Sequence, residues 1–317
     1  MILVLLANIR TQHLEQYLTW EVVQAILWVQ PLILLTAVLV AMRIRILVSP
    51  PGVSFLLALK AILLGVGLNV ALPGRISELL KPAYLHEHGK VPFSVGLAAV
   101  FVERVTDFIT MGFLAVLAMG IILNDGTFVW VFPVTLALLG LPLVSHFEGG
   151  LVRVAGRIPG KLVRSLLVVF VAELAARLRE RVMFRAIGLG VLAWGATFSA
   201  LYALVEIAGT HHLTIPQAAF LVLAVSVGGA AAVFPGGFGS YEAVGILVLQ
   251  RFGYSFEEAL VLSLAMHVTQ LLPNVIGAVW ILFREKLGLA TLAREAREHM
   301  RQTRLSAQSV PSAQSPP

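Results

Sequence analysis

The amino-acid sequence predicts an all-α polytopic membrane protein whose two halves form an inverted repeat. Composition is the first reason. Soluble domains are about a quarter charged, whereas 58% of these 317 residues are hydrophobic and 13% are charged. With a mean hydropathy of +0.90, so much apolar surface needs a bilayer as its solvent. The second reason is a series of apolar runs of span length. The third is a pair of interruptions, Pro73-Gly74 and Pro235-Gly236-Gly237, in matching places of the two halves.

A crossing helix needs about 20 mostly apolar residues. Residues 1–21 read as an interfacial segment or the remnant of a truncated span; Met1–Ala7 is too short for a signal peptide and no basic region precedes it. Val22–Met42 is a span that closes at Arg43 and Arg45. Phe55–Leu72 is apolar and stops at Pro73-Gly74-Arg75, and a short stretch, Ile76–Leu85, follows. Pro92–Leu123 is one long span, and Phe128–Val144 is another. Gly149–Arg185 is strongly basic, from Arg153 and Arg157 to Arg179 and Arg181, with apolar residues at helical spacing. It reads as an amphipathic surface linker. Ala186–Ala208 spans. Ile215–Phe234 stops at Pro235, and Tyr241–Phe252 follows it. Phe256–Phe283 spans. Residues 284–317 begin as a basic helix and end in Ser, Ala, Gln and Pro, which cannot pack a core.

Lysine and arginine set the expected orientation. The basic linker and the tail belong in the cytoplasm, while Asn124–Thr127 and Gly209–Thr214 hold neither residue and belong outside. The first broken hairpin then enters from inside and the second from outside. Each half reads as span, broken re-entrant hairpin, long span, over residues 22–123 and 186–283. Placing Phe93 on Phe256 aligns the long spans without a gap, which sets Arg104 on His267 and Asp107 on Gln270. Pro73-Gly74 with Glu78 matches Pro235-Gly236 with Glu242. Opposed halves of this kind are a transporter plan.

The formal net charge of +6 invites a nucleic-acid reading. The basic residues lie between apolar runs and in the tail, which fits anionic lipid headgroups and no nucleic acid. With no cysteine, thiolate chemistry and disulfides are excluded. No cofactor or metal is expected: His86 with His88, and His211 with His212, lie in short loops without a carboxylate set. No Walker loop, nucleophile elbow or dinucleotide fingerprint is present.

The candidate site residues follow from the cost of polarity in a membrane. Pro73, Gly74, Pro235, Gly236, Gly237 and Gly239 break helices at depths where irregular backbone must line a wet cavity or be buried in protein. Gly236, Gly237 and Gly239 also resemble a phosphate-cradling loop. Glu103, Arg104 and Asp107 sit about a dozen residues into a span, on neighbouring helical positions. They form either an internal ion pair that clamps helices or a headgroup or proton site. Glu78 and Glu242 each follow a break, where a carboxylate caps a half-helix or binds amines or protons. Arg75 and Lys81 flank Glu78, and both fit ordinary snorkelling to the interface or attraction of an anionic headgroup. His267 is a packed hydrogen-bonder or a proton relay.

Three motifs together carry a resemblance: Asn69-Val-Ala-Leu-Pro-Gly-Arg-Ile-Ser-Glu78, Glu103-Arg-Val-Thr-Asp107, and Phe234-Pro-Gly-Gly-Phe-Gly-Ser-Tyr-Glu242. In order and spacing the chain resembles the lysylphosphatidylglycerol synthase transmembrane-region family from about Val22 to Phe283. It departs from that pattern at Ser77, where the family has Gly, and at Ser240-Tyr241, where it has Val-Arg. The resemblance implies a flippase-like domain without the soluble aminoacyl-transferase domain, in a bacterial or archaeal cytoplasmic membrane. The expected function is movement of a membrane phospholipid or lipid-linked glycan rather than an enzymatic reaction. A non-transporting lipid-binding partner of a lipid-modifying enzyme and an intramembrane transferase are the alternatives.

Overall fold

The computed structural model describes residues 15–48, 53–72, 77–123, 182–230 and 234–288. Pro73, Gly74 and Arg75, the Phe128–Val144 span, nearly all of the basic linker, residues 1–14 and the tail beyond residue 288 lie outside them. The described residues are helical and contain no strand. In chain order they form α1 (Trp20–Trp28), α2 (Gln30–Leu47), α3 (Phe55–Gly67), a 3-10 turn (Leu68–Val70) and α4 (Leu80–Gly89). Then come α5 (Phe93–Leu123), α6 (Val182–Ala208), α7 (Ile215–Ala230), a second 3-10 turn (Pro235–Gly237), α8 (Ser240–Arg251) and α9 (Phe256–Glu285).

Three stretches among the described residues are long and apolar enough to cross a membrane: α1 with α2 (Trp20–Leu47), α6 (Val182–Ala208) and α9 (Phe256–Glu285). α5 matches them in length at 31 residues but carries Glu103, Arg104 and Asp107 near its middle. Burial is inverted relative to a soluble protein. Phe283 is 81% and Trp28 75% exposed, while Lys81 is fully buried. Such a surface is stable only in lipid, so the chain is an integral membrane protein.

Local sequence sets the helix ends. Ser54 and Ser255 cap α3 and α9 by accepting the Leu57 and Glu258 amides. Lys90 and Lys286 close α4 and α9 in left-handed backbone conformation. Pro273 lies inside α9, where it cannot donate to the Thr269 carbonyl. Gln30 from α2 reaches that oxygen at 3.5 Å. The first span differs from the expectation of Val22–Met42. The helix pair continues to Leu47, and Arg43 lies inside it rather than at its end, because the half-buried Asp107 carboxylate meets it.

Packing pairs the two halves crosswise. α3 lies on α9 and α7 lies on α5, while α2 and α6 share a long interface. The α3–α4 hairpin packs onto α5, and the α7–α8 hairpin packs onto α9. The two 3-10 turns meet. Buried apolar side chains form two clusters. One joins the C-terminal part of α2 to α3, α4 and the start of α5; the other joins α1, the end of α6, α7, α8 and the start of α9. Glycines bring backbones together where the helices cross. A Cβ at Gly67 would run into the Asn274 carbonyl on α9, whereas one at Gly112 meets nothing.

Gly67→Val is therefore expected to cost about 1–3 kcal/mol or more through overpacking, read as a lower unfolding midpoint in detergent. Gly112→Ala in the same assay should hold or raise the midpoint, since alanine favours helix over glycine.

Candidate functional site

Between the two apolar clusters lies a cavity of about 310 Å³. Its walls come from both halves: Thr36 and Arg43 on α2, Trp194 and Thr197 on α6, Ser226 on α7, and the middles of α5 and α9. Glu103, Arg104 and Asp107 on α5, Trp194 and Thr197 on α6, and His267 and Gln270 on α9 sit near the centres of long helices, so the cavity lies at mid-span.

The first half supplies a charged wall. Arg43 pairs with Asp107 at 2.7 Å, donates to the Glu103 backbone oxygen at 3.0 Å and also bonds Thr106. Lys81 pairs with Glu78 at 2.8 Å and with Glu103 at 3.3 Å. Arg104 pairs with Glu103 at 2.7 Å, Glu78 at 3.5 Å and Asp107 at 3.9 Å. Trp194 donates to Asp107 from the facing helix at 3.3 Å. Three cations thus meet three carboxylates. That balance is what makes the buried charges tolerable, since an unpaired ion in this medium costs several kcal/mol, roughly. Exposure separates the cations: Arg43 and Lys81 are 2% and 0% exposed, while Arg104 keeps 34% and faces the cavity.

Glycines make room for the buried pair. A Cβ at Gly65 would meet Lys81 Cγ at 2.5 Å, and one at Gly190 would meet an Arg43 guanidinium nitrogen at 3.0 Å.

The second half supplies a neutral wall. Gly236, Gly237 and Gly239 adopt φ of 70°, 87° and 85°, the left-handed region that glycine enters without strain. This lets the chain turn sharply into α8. Glu242 reaches back to accept the Gly239 amide at 2.6 Å, capping α8. Its other oxygen shares a 2.6 Å hydrogen bond with His267 Nδ1. His267 Nε2 donates to the Gly236 carbonyl at 2.9 Å. Tyr241 stacks on the imidazole at 4.3 Å and accepts from Gln270 at 2.6 Å.

The sequence-derived residues divide cleanly. Glu103, Arg104, Asp107, His267 and Gly236 line the cavity; Glu78 stands behind Arg104, and Glu242 behind His267. Arg104 and Asp107 line it together with His267 and Gln270, the residues that the gapless alignment of the long spans sets on them. Arg75 lies outside the described residues, as do Pro73 and Gly74. Two readings change. Lys81 does not snorkel; it is buried because Glu78 and Glu103 converge on it. Two amides of the phosphate-cradle reading are already spent internally. The Gly239 amide holds Glu242 and the Gly237 amide donates to the Phe234 carbonyl at 3.2 Å. Arg43 went unnoticed as a site residue, and so did Gln270, which appeared only as an alignment partner. The signal for Arg43 was its distance from any polar loop: Ile44, Ile46 and Leu47 continue the apolar run beyond it.

A sequence model described as the lysylphosphatidylglycerol synthase TM region matches residues 2–278. The chain belongs to this family. Neither a curated protein nor a solved structure matches the chain. Within this family member, the described residues of the three motifs include Glu78, Glu103, Arg104, Asp107, Gly236 and Tyr241 at or beside one cavity.

Lys81→Met is expected to destabilise the protein by about 3–5 kcal/mol by stranding buried carboxylates. The double variant Lys81→Met/Glu103→Gln should recover a substantial part, read as coupling in a double-mutant cycle of unfolding in detergent.

Proposed function

We propose that this protein moves a lipid with an anionic headgroup between membrane leaflets, without a covalent step. The observation that carries the reading is Arg104. It is a guanidinium partly open to a mid-span cavity, held in place by Glu78, Glu103 and Asp107. A guanidinium is well matched to phosphate oxygens. A cavity of about 310 Å³ suits a headgroup, being at the lower end of ligand pockets. The acyl chains would stay outside, along the exposed apolar helix faces.

The proposed architecture is an inverted repeat with two re-entrant hairpins. The crosswise packing of α3 on α9 and α7 on α5 supports it, because exchanging the halves maps one contact onto the other. Hairpin length also supports it. α8 has 12 residues, or about 18 Å, short of the ~30 Å hydrocarbon core.

The anchoring of the hairpin ends points to entry from opposite faces. Lys60 and Tyr84 on the first hairpin bind Glu285 at the end of α9, at 2.5 and 2.7 Å. At the other end of α9, Glu258 accepts Thr210 beside the second hairpin at 2.7 and 2.9 Å. Arg284, Lys286 and Lys90 gather at the first end, which supports a cytoplasmic tail in a cell membrane. Transport would then follow from rocking of one half against the other.

The test is a headgroup-accessibility assay in proteoliposomes with a fluorescent phosphatidylglycerol analogue. Arg104→Ala should slow translocation by roughly 10- to 100-fold, the worth of a charged hydrogen-bonding partner, and Arg104→Lys should fall between it and wild type. Equal rates at equal reconstitution would overturn the role. Lipid binding without translocation by wild type would favour a lipid-holding partner of another enzyme instead.

A further inference from the structure

The buried pair His267–Glu242 is not needed to hold a headgroup on Arg104, yet its hydrogen bonds fix a proton count. The Gly236 carbonyl can only accept, so His267 Nε2 carries a hydrogen. Nδ1 and the Glu242 oxygen, 2.6 Å apart, need a second hydrogen between them. The unit is therefore neutral as a whole, whichever of the two atoms owns that hydrogen. Removing one proton leaves it net negative with a single hydrogen for two bonds. A carboxylate is a stronger acceptor than a carbonyl, so the remaining hydrogen stays between ring and Glu242. The bare Nε2 then faces the Gly236 oxygen lone pairs, and that bond breaks.

Gly236 is the point where the two hairpins touch. A Cβ there would meet Val70 of the first 3-10 turn at 3.3 Å, and the two turns pack together. We propose that His267–Glu242 is a proton-binding site whose occupancy closes this hairpin contact and couples proton movement to lipid translocation. The coupling to lipid rests on the function proposed above; the proton switch itself does not.

The groups facing the pair set the sign of the coupling. Tyr241 stacks on the ring, and Arg43, Glu103, Arg104 and Asp107 share the cavity that His267 lines. Among the described residues, α3, α6 and α7 present only uncharged side chains to that cavity. The three cavity carboxylate and guanidinium partners on α5 are already paired with one another. An added anionic headgroup therefore brings uncompensated negative charge into the cavity and favours the protonated, neutral unit. Linkage is reciprocal, so the proton favours the headgroup equally. Proton and headgroup then travel in the same direction, with the proton passing between the cavity and the bulk phase on the open side.

Two measurements test this. The natural chain has no cysteine, so spin labels at Leu56→Cys and Leu247→Cys, exposed on the two hairpins, report without background. In lipid nanodiscs, their distance distribution should differ between acidic and alkaline buffer and lengthen in the alkaline one. With His267→Gln added it should not respond to pH. Glu242→Gln, which keeps an acceptor for the Gly239 amide, should also abolish the response and serves if the histidine variant misfolds. A wild-type distribution that ignores pH, or one that responds alike in all three backgrounds, would overturn the switch.

The second measurement is translocation of the phosphatidylglycerol analogue under an imposed pH gradient. One pH unit should bias the leaflet ratio up to about tenfold toward the alkaline side. Translocation that proceeds but ignores the gradient would sink the coupling and leave the lipid reading intact. Failure to translocate any lipid, with pH-dependent labels, would sink the lipid reading and leave the switch.

Discussion

Glu103 is the node on which the first half depends. A carboxylate in a medium of low polarity is unstable alone, and this one is 1% exposed. It is stabilised from two sides by Lys81 and Arg104, while its backbone oxygen receives Arg43. Those three cations come from α4, α5 and α2. The need to compensate one buried charge therefore draws three helices to a single point. Gly65 and Gly190 supply the space the long cationic side chains occupy. The outer partners of the same ions, Glu78 and Asp107, keep the whole set balanced and hold Arg104 toward the cavity.

The second half meets the same constraint with less charge. One carboxylate, Glu242, both caps α8 and holds His267, and the imidazole in turn pins the Gly236 carbonyl. The glycines at positive φ allow the backbone to present that carbonyl. The two long helices thus face one cavity with unlike chemistry: a guanidinium and carboxylate on α5, an imidazole and amide on α9. In the proposed mechanism that inequality divides the labour, with the charged wall taking the headgroup and the neutral wall taking the proton.

Much of the helical plan was legible from composition and punctuation. Both α5 and α9 begin at the residues, Phe93 and Phe256, that the gapless alignment pairs. The second hairpin breaks at Pro235, where the sequence interrupts its apolar run. Local chemistry suffices for these features, because a missing amide hydrogen or an apolar run acts within a few residues. The Glu103, Arg104 and Asp107 cluster was also legible, since ions at helical spacing inside a span must find partners.

Arg43, Lys81 and the glycine turn mark where local reading stopped. A cation near the end of an apolar run has the same sequence appearance whether it snorkels to headgroups or turns inward. Only the position of a carboxylate on another helix decides, and here Asp107 draws Arg43 in, as Glu78 and Glu103 draw Lys81. A glycine-rich turn likewise offers free amides until some residue fills them; Glu242 does so three positions on. The sequence by itself determined the solvent of this protein, its described helices and the break at Pro235, because those depend on side-chain polarity and backbone chemistry along the chain. Tertiary structure decided which charges are paired and which one faces the cavity, because electrostatic compensation is settled between helices distant in sequence.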